Sequence, residues 1–530
     1  MSRANGWYAR RVVSVASPDA VLAGRWASRW PCHPGIGDGL AALAGVAVVF
    51  GYAPFGQFWA ALAGYVLLIA LWAAHPERAW LRGVWFGLGL FGVGLYWLFI
   101  ALHAIGGAPL PVALLLQGLL VGYLAGYFAL AGWLLRIARR RRVKTLLLIP
   151  VLLSLMEWLR GTLFTGFPWL TVGYTAMETP LMGFAPLVGS YGIGLQVLLI
   201  ATAVVAVWRR DGVRRWIAAI LVIGLTGYGL QRVDWSKPVG DAFAAALLQA
   251  NIAQAVKWSE AERLQGLLRY RAMSRQALAT ADLVVWPETA VPDFIHKVYA
   301  DYLSDLDRDA AAVDKALLVG APVLDRPAGV YRNEIVALGA AQGRFGKVHL
   351  VPFGEYLPLS SLFGPLIRTM NLPMSSYSPG WSDSAPFAFR GLRLSGSICY
   401  EVIFPGEMAA LSRTGHVLIN VSNDGWFGDT VAPHQHLQMA RMRARELSRP
   451  MLRATNTGIS AVIDHLGGVQ ASLGLLQAGT VQAEVQGREG DTWFGRYGNA
   501  TFLVLLLCIV SILALPAAGV RRGRRRAGVR

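Results

Sequence analysis

Three side chains, each beside a short apolar run, offer the chemistry in this sequence. Glu288 lies in Val285-Trp286-Pro287-Glu288-Thr289. Lys347 opens Lys347-Val348-His349-Leu350-Val351-Pro352-Phe353-Gly354-Glu355, and Cys399 lies in Gly396-Ser397-Ile398-Cys399-Tyr400-Glu401. Side chains at strand ends can converge on a site outside the sheet. A thiol becomes a strong nucleophile when an adjacent base takes its proton, and a nearby cation favours the thiolate. Glu288 is the candidate base if burial raises its pKa. Lys347, as an ammonium, cannot take the first proton but can stabilise the oxyanion of a tetrahedral intermediate. Glu355 can orient the lysine or a leaving-group proton. Taken singly, these residues also have ordinary readings as a surface carboxylate, a solvated lysine and a small buried hydrophobe. A nucleophile, a base and a cation together form one functional set.

The other reactive side chains point elsewhere. Cys32, Cys399 and Cys508 are too few and too odd in number for a disulfide framework. Cys508 falls in an apolar run, which leaves Cys399 alone in the polar half. His434 and His436 are spaced poorly for two ligands on one helix face, and no cysteine or acidic cluster accompanies them, so no metal site is expected. No cofactor is expected either, because the Gly-rich stretches lack a phosphate-loop spacing. Trp169, in Phe167-Pro168-Trp169, reads as a membrane-interface anchor.

The elements that must position these residues are short and alternate. Strands are expected at 243–252, 283–286, 317–323, 334–338, 392–399 and 417–421. Helices are expected at 297–314, 405–413 and 433–448, and from the Ser259/Glu262 capping signal to about Thr280. Such alternation implies a layered α/β domain with buried sheets.

That domain is only half of the chain. Of 530 residues, 55% are hydrophobic and 15% charged, and the mean hydropathy is +0.45. These values suit a membrane protein with a soluble portion. Apolar segments lie near 38–54, 57–75, 80–102, 108–135, 144–164, 186–208, 214–231 and 497–517, and a span needs ~20 apolar residues. The net charge of +18 is concentrated in runs that abut those segments: Arg136 to Lys144, Arg209 to Arg215 and Arg521 to Arg530. This is the pattern of cytoplasmic loops facing anionic headgroups and not of nucleic-acid binding. The expected organisation is a cytoplasmic N-terminal tail (1–36), a transmembrane bundle of about seven spans (37–234), a catalytic domain (235–492), a C-terminal transmembrane helix (493–518) and a basic cytoplasmic tail (519–530). With both termini in the cytoplasm, the catalytic domain lies outside.

Trp-Pro-Glu, then Lys-Val-His-Leu-Val-Pro-Phe-Gly-Glu, then Ile-Cys-Tyr-Glu resembles the nitrilase superfamily. Joined to a membrane bundle, the pattern resembles the apolipoprotein N-acyltransferases of bacterial envelopes, over nearly the whole chain. The resemblance implies about eight transmembrane helices plus an extracytoplasmic nitrilase-like αββα sandwich. It implies Glu288 as base, Lys347 as oxyanion stabiliser and Cys399 as acyl-carrying nucleophile, with Glu355, Tyr400 and Glu401 as essential neighbours. The Asn420 to Phe427 stretch, including Trp426, matches a loop near the site. The implied reaction is ping-pong: a phospholipid acyl chain passes through a Cys399 thioester to the α-amine of a diacylglyceryl-modified apolipoprotein. The implied location is the bacterial inner membrane, with the catalytic domain on its periplasmic side. The apolar segment Leu357 to Tyr377 is expected either to dip into the membrane as a flap or to be a buried loop. A membrane-tethered amidase and a non-catalytic receptor remain as other readings.

Overall fold

The computed structural model describes residues 33–140, 145–357, 376–381 and 384–514. Most of the expected flap and both basic tails lie outside these residues.

The apolar half forms helices α1 (Pro34–Val49), α2 (Phe58–Ala74), α3 (Ala79–Gly94), α4 (Leu110–Arg140), α5 (Thr145–Arg160), α6 (Ala185–Trp208) and α7 (Val213–Leu230). Each expected apolar segment up to residue 231 thus carries a helix. By length and composition, three helices among the described residues can cross a membrane on their own: Leu110–Ala138, Pro180–Trp208 and Val213–Leu230. The others fall short because a helix of 16 residues, rising 1.5 Å per residue, is only about 24 Å long, less than the ~30 Å of hydrocarbon. Helices α2 and α3 qualify only as a pair, bent by 111°. Leucines on the outer faces of α4 and α7, such as Leu115, Leu119, Leu221 and Leu225, are more than half exposed, as side chains facing lipid would be.

Buried charges inside the bundle are paired. Arg78 donates to Asp38 at 2.8 Å. Glu157 Oε1 accepts from Val172 N at 2.7 Å, and Arg160 Nη1 donates to the carbonyls of Phe167 (2.6 Å) and Trp169 (2.7 Å). The last two residues therefore clamp the connection after α5.

Past residue 234 the chain alternates. The strands are β1 (Phe243–Gln249), β2 (Leu283–Val285), β3 (Ala316–Asp325), β4 (Val330–Gly339), β5 (Arg344–Gly346), β6 (Phe387–Phe389), β7 (Leu392–Ile398), β8 (Val417–Ser422), β9 (Met451–Thr455), β10 (Ser460–Ile463), β11 (Val469–Leu473) and β12 (Gly479–Val485). Between them lie α8 (Glu260–Ala277), α9 (Ser304–Ala312), α10 (Pro405–Ser412) and α11 (Ala432–Leu447); α12 (Ala500–Ala514) follows. Ser259 caps α8 by accepting from Glu262 N, as its spacing predicts.

Among the described residues these strands form two six-stranded sheets, in the orders β12-β1-β2-β3-β4-β5 and β11-β10-β9-β8-β7-β6, beside a short pair of 237–238 with 488–489. The centre of each is parallel: β1, β2 and β3 in one, β7, β8 and β9 in the other. Alternate side chains on a strand face opposite ways. Leu247, Val285 and Leu318 of the first sheet join Ile398, Ile419 and Leu452 of the second in one apolar cluster between the sheets. Leu248, Val284 and Leu317 pack outward with Leu267 of α8 and Leu306 of α9. The outer side of the second sheet carries α10 and α11, and there Met439, Met442, Ile403 and Phe404 share a single cluster with bundle residues such as Trp97, Trp169 and Leu170. The turn that follows β7 is thereby embedded in the bundle's own core.

Candidate active site

Glu288 follows β2, Lys347 follows β5 and Cys399 follows β7. The first approach is close: a Cβ on Gly320 of β3 would lie 2.1 Å from the Pro287 carbonyl oxygen, so only glycine lets the Glu288 turn sit there. Lys347 is placed by its backbone N–H, which donates to the Asn333 carbonyl at 2.8 Å. Cys399 has φ +52°, the left-handed region that non-glycine residues adopt at a cost and that recurs at functional turns.

All three side chains converge. Lys347 Nζ lies 3.3 Å from Glu288 Oε1 and 2.8 Å from Glu355 Oε1. Glu288 Oε1 also accepts from Asn333 Nδ2 at 2.7 Å, and its Oε2 accepts from Asn423 N at 2.9 Å. Glu355 Oε2 accepts from Val351 N at 2.8 Å, which fixes the carboxylate that holds the lysine. Burial disfavours the Lys347 ammonium, but Glu288, Glu355 and Cys399 outweigh it and hold the pKa well above its ordinary value. Lys347 is therefore a cation.

The thiol is the departure from expectation. Burial and then the Glu288 carboxylate push the Cys399 pKa up, against the smaller opposing effect of Lys347. A resting thiolate is thus disfavoured despite the neighbouring ammonium, and the proton has to leave during attack. Once formed, such a thiolate is strongly nucleophilic, because intrinsic nucleophilicity rises with pKa.

The neighbours named from sequence divide by position. Glu401 accepts from Ile398 N (2.6 Å), Val348 N (2.7 Å) and His349 N (3.1 Å), tying the Cys399 turn to the Lys347 loop. Burial pushes its pKa up to about 7 against these three donors. In Glu401→Gln, an amide N–H must face a backbone N–H. Each mispaired buried group costs about 1–3 kcal/mol. The variant should melt earlier in detergent and lose activity at Cys399; wild-type melting and activity together would rule out this tie. Tyr400 donates to the Gly166 carbonyl of the bundle at 3.2 Å. Trp426 is 36% exposed, and in the same stretch Asn423 N donates to Glu288 Oε2.

Trp169 is not a lipid-facing anchor. It is 1% exposed, donates from Nε1 to Gln435 Oε1 at 2.6 Å, and packs 4.9 Å from Trp97. Between bundle and catalytic domain, its indole satisfies its one donor without water.

Several residues escaped the sequence reading. Asn333 sits inside a strand, where a polar side chain gives no signal of its target. Lys257 is buried and donates to Thr289 Oγ1 (2.6 Å) and the Glu288 carbonyl (3.4 Å); burial brings its pKa down to about 8 against the pull of Glu288. Among the described residues, no cluster of His, Cys, Asp and Glu could hold a metal ion.

Paired sheets with Glu, Lys and Cys at their strand ends define a carbon–nitrogen hydrolase domain, joined to an apolar helical bundle. Family models match along the same division: residues 44–203 match the apolipoprotein N-acyltransferase N-terminal domain and residues 244–493 match carbon-nitrogen hydrolase. A Nitrosomonas europaea protein named apolipoprotein N-acyltransferase is 38% identical over 485 residues, covering 90% of this chain and 97% of that one. One of the same name from Methylococcus capsulatus is 38% identical over 480 residues, covering 89% and 95%. Among solved structures, Saccharomyces cerevisiae Nit3, of the nitrilase superfamily, aligns at 18% identity over 54% of this chain and 99% of that chain, with a TM-score of 0.36. The chain belongs to the apolipoprotein N-acyltransferase family.

Proposed function

We propose that the protein moves a fatty acyl chain from a membrane phospholipid, through a thioester on Cys399, to the α-amine of an N-terminal diacylglyceryl-cysteine on an apolipoprotein. The observation that carries this reading is the position of the Cys399 turn: its flanking residues Tyr400, Val402, Ile403 and Phe404 pack within the bundle's core cluster. Drawing a whole acyl chain into water would cost ~0.8 kcal/mol per CH₂, on the order of 10 kcal/mol. A thiol that works on lipid esters has to meet them at the membrane boundary.

In the first half-reaction the Cys399 sulfur attacks the ester carbonyl carbon and its proton passes to Glu288. Lys347 stabilises the resulting oxyanion. The C–O bond breaks, Glu288 returns the proton to the departing alkoxide, and a lysophospholipid leaves. In the second half, a neutral α-amine (pKa ~7.7–8.0) attacks the thioester and gives its proton to Glu288. The C–S bond breaks and the thiolate regains that proton. Thioester to amide is downhill, which drives the sequence. Glu355 orients Lys347, and Tyr400 and Glu401 hold the nucleophile turn.

We place the chain in the bacterial inner membrane with about eight spans, the eighth being α12. The catalytic domain (235–492) faces the periplasm, with αββα layering. The runs Arg136–Lys144 and Arg209–Arg215 fall on one side of that arrangement, as cytoplasmic loops do.

A chase separates this reading from a hydrolase. Enzyme carrying labelled acyl chain is mixed with a diacylglyceryl-cysteine peptide whose amine is free, or with its N-acetylated form. Label should pass to the free amine as an amide and remain on the enzyme with the blocked peptide. Equal release as free fatty acid in both cases would favour hydrolysis.

A further inference from the structure

Behind Cys399 lies a buried polar chain that the mechanism above does not use. His436, on α11, is 1% exposed. Its Nε2 is 3.2 Å from the Cys399 carbonyl oxygen. Its Nδ1 is 3.0 Å from Asp424 Oδ1 and 2.9 Å from Arg453 Nη2. Arg453 also donates to Asp424 Oδ2 at 2.9 Å, and Ser422 donates to Asp424 Oδ1 at 2.8 Å.

The donor and acceptor inventory fixes one ring nitrogen. A carbonyl oxygen only accepts, so Nε2 carries a proton. Nδ1 stands between an acceptor, Asp424 Oδ1, and a donor, Arg453 Nη2. Burial first, and then the Arg453 cation, push His436 below its ordinary pKa, outweighing Asp424. Burial opposes ionisation of Asp424, but Arg453 and His436 hold it well below the usual carboxylate range. The network is then an imidazole protonated at Nε2, a carboxylate and a guanidinium.

We propose that His436 is a positioning residue for the nucleophile, fixing the strained Cys399 turn by donating from Nε2 to its carbonyl, and that the membrane bundle seats it. Both sides of the turn are then held: Glu401 takes Ile398 N–H at 2.6 Å, and His436 serves the Cys399 carbonyl. With φ at +52°, the turn would relax if either were lost, and the sulfur would swing away from Glu288. The seat is aromatic. Trp169 of the bundle lies 5.7 Å from the imidazole and is tied by hydrogen bond to Gln435, the residue before His436. Trp97 of the bundle packs 4.8 Å from Phe427, itself 6.4 Å from the same imidazole. Nucleophile geometry therefore depends on docking of the bundle.

This inference rests on Cys399 being the acylated residue. The test compares His436→Gln with His436→Asn in the full chain in detergent. A glutamine amide reaches the place of Nε2, whereas an asparagine amide reaches only that of Nδ1. Single-turnover acylation of Cys399 by phospholipid is followed by intact mass, with the phospholipid KM and the thermal melt measured beside it. His436→Gln should acylate within about fivefold of wild type and His436→Asn about 100-fold slower, the scale set by an ångström of misplacement, with KM within about twofold in both. Equal rates for the two variants, fast or slow, overturn the proposal, as does a rate difference that only tracks a difference in melting, which a role in packing alone would give. Absence of any acyl adduct on wild-type Cys399 overturns the functional reading and this inference with it.

Discussion

Lys347→Met should slow acylation of Cys399 by about 10³-fold, toward the upper end of what one oxyanion donor contributes. The expectation rests on two consequences of one change. The donor for the tetrahedral oxygen disappears. The two carboxylates that the ammonium separates, Glu288 at 3.3 Å and Glu355 at 2.8 Å, are left to repel one another in a buried site. Breaking a buried pair by removing one partner costs about 3–5 kcal/mol, so the variant should also melt earlier. Lys347→Arg should not restore the rate, because a planar fork cannot occupy the place of a compact ammonium between two carboxylates. Quenched-flow mass analysis of the acyl-enzyme reads the rate directly. A Lys347→Met enzyme within tenfold of wild type would mean that the oxyanion is held elsewhere.

Glu288→Gln should slow the same step by about 10²–10⁴-fold, the usual contribution of a positioned general base, and should alter its pH dependence in a defined direction. The carboxylate accepts from Asn333, Lys347 and Asn423 N, so an amide loses the base and sets an N–H against donors. The charge of Glu288 is also one of the forces that push the Cys399 pKa up. Its removal therefore lowers the pH at which thiolate forms. Without a base, the rate follows the thiolate fraction, about tenfold per pH unit below the thiol pKa. The deficit relative to wild type should shrink as pH rises. A variant whose deficit is the same across the range from pH 6 to 9 would show that Glu288 does not take the thiol proton.

What the sequence made legible follows from where its signals lie. Glu288, Lys347 and Cys399 stand beside apolar runs, and the structure brings their side chains together across both sheets. Glu401 is a neighbour in the sequence motif, but its job, three backbone N–H groups gathered from the end of β7 and the Lys347 loop, depends on a fold that no local pattern describes. Asn333 and Arg453 sit inside strands and Lys257 in a loop; each acquires meaning only from a partner far along the chain. Of the strands from Met451 to Val485, β11 and β12 give no signal because they are half exposed and lack a continuous apolar run, and the buried β9 and β10 are only five and four residues long. Trp169 was misread for a physical reason. A tryptophan beside an apolar span has the composition of an interface anchor, and only the docked Gln435 reveals that it is buried. The helical segments are legible from composition, whereas α1, α3 and α5 stop at 16 residues and α2 and α3 qualify as a span only as a bent pair.

The position of the Cys399 turn gives the bundle a second role beyond anchorage. Tyr400 donates to Gly166, and the same connection, clamped by Arg160, presents Trp169 to α11. An acyl chain lying among the bundle helices would thus reach a nucleophile whose neighbours are already part of the bundle's packing.

The central claim is a fatty thioester on one sulfur, and intact-protein mass after incubation with a phospholipid of a single acyl composition tests it most directly. The expected result is one adduct of that acyl chain, mapped to the Cys399 peptide, released by neutral hydroxylamine and absent from Cys399→Ala. An adduct that persists in Cys399→Ala, or lipoprotein acylation that continues in that variant, would contradict the account.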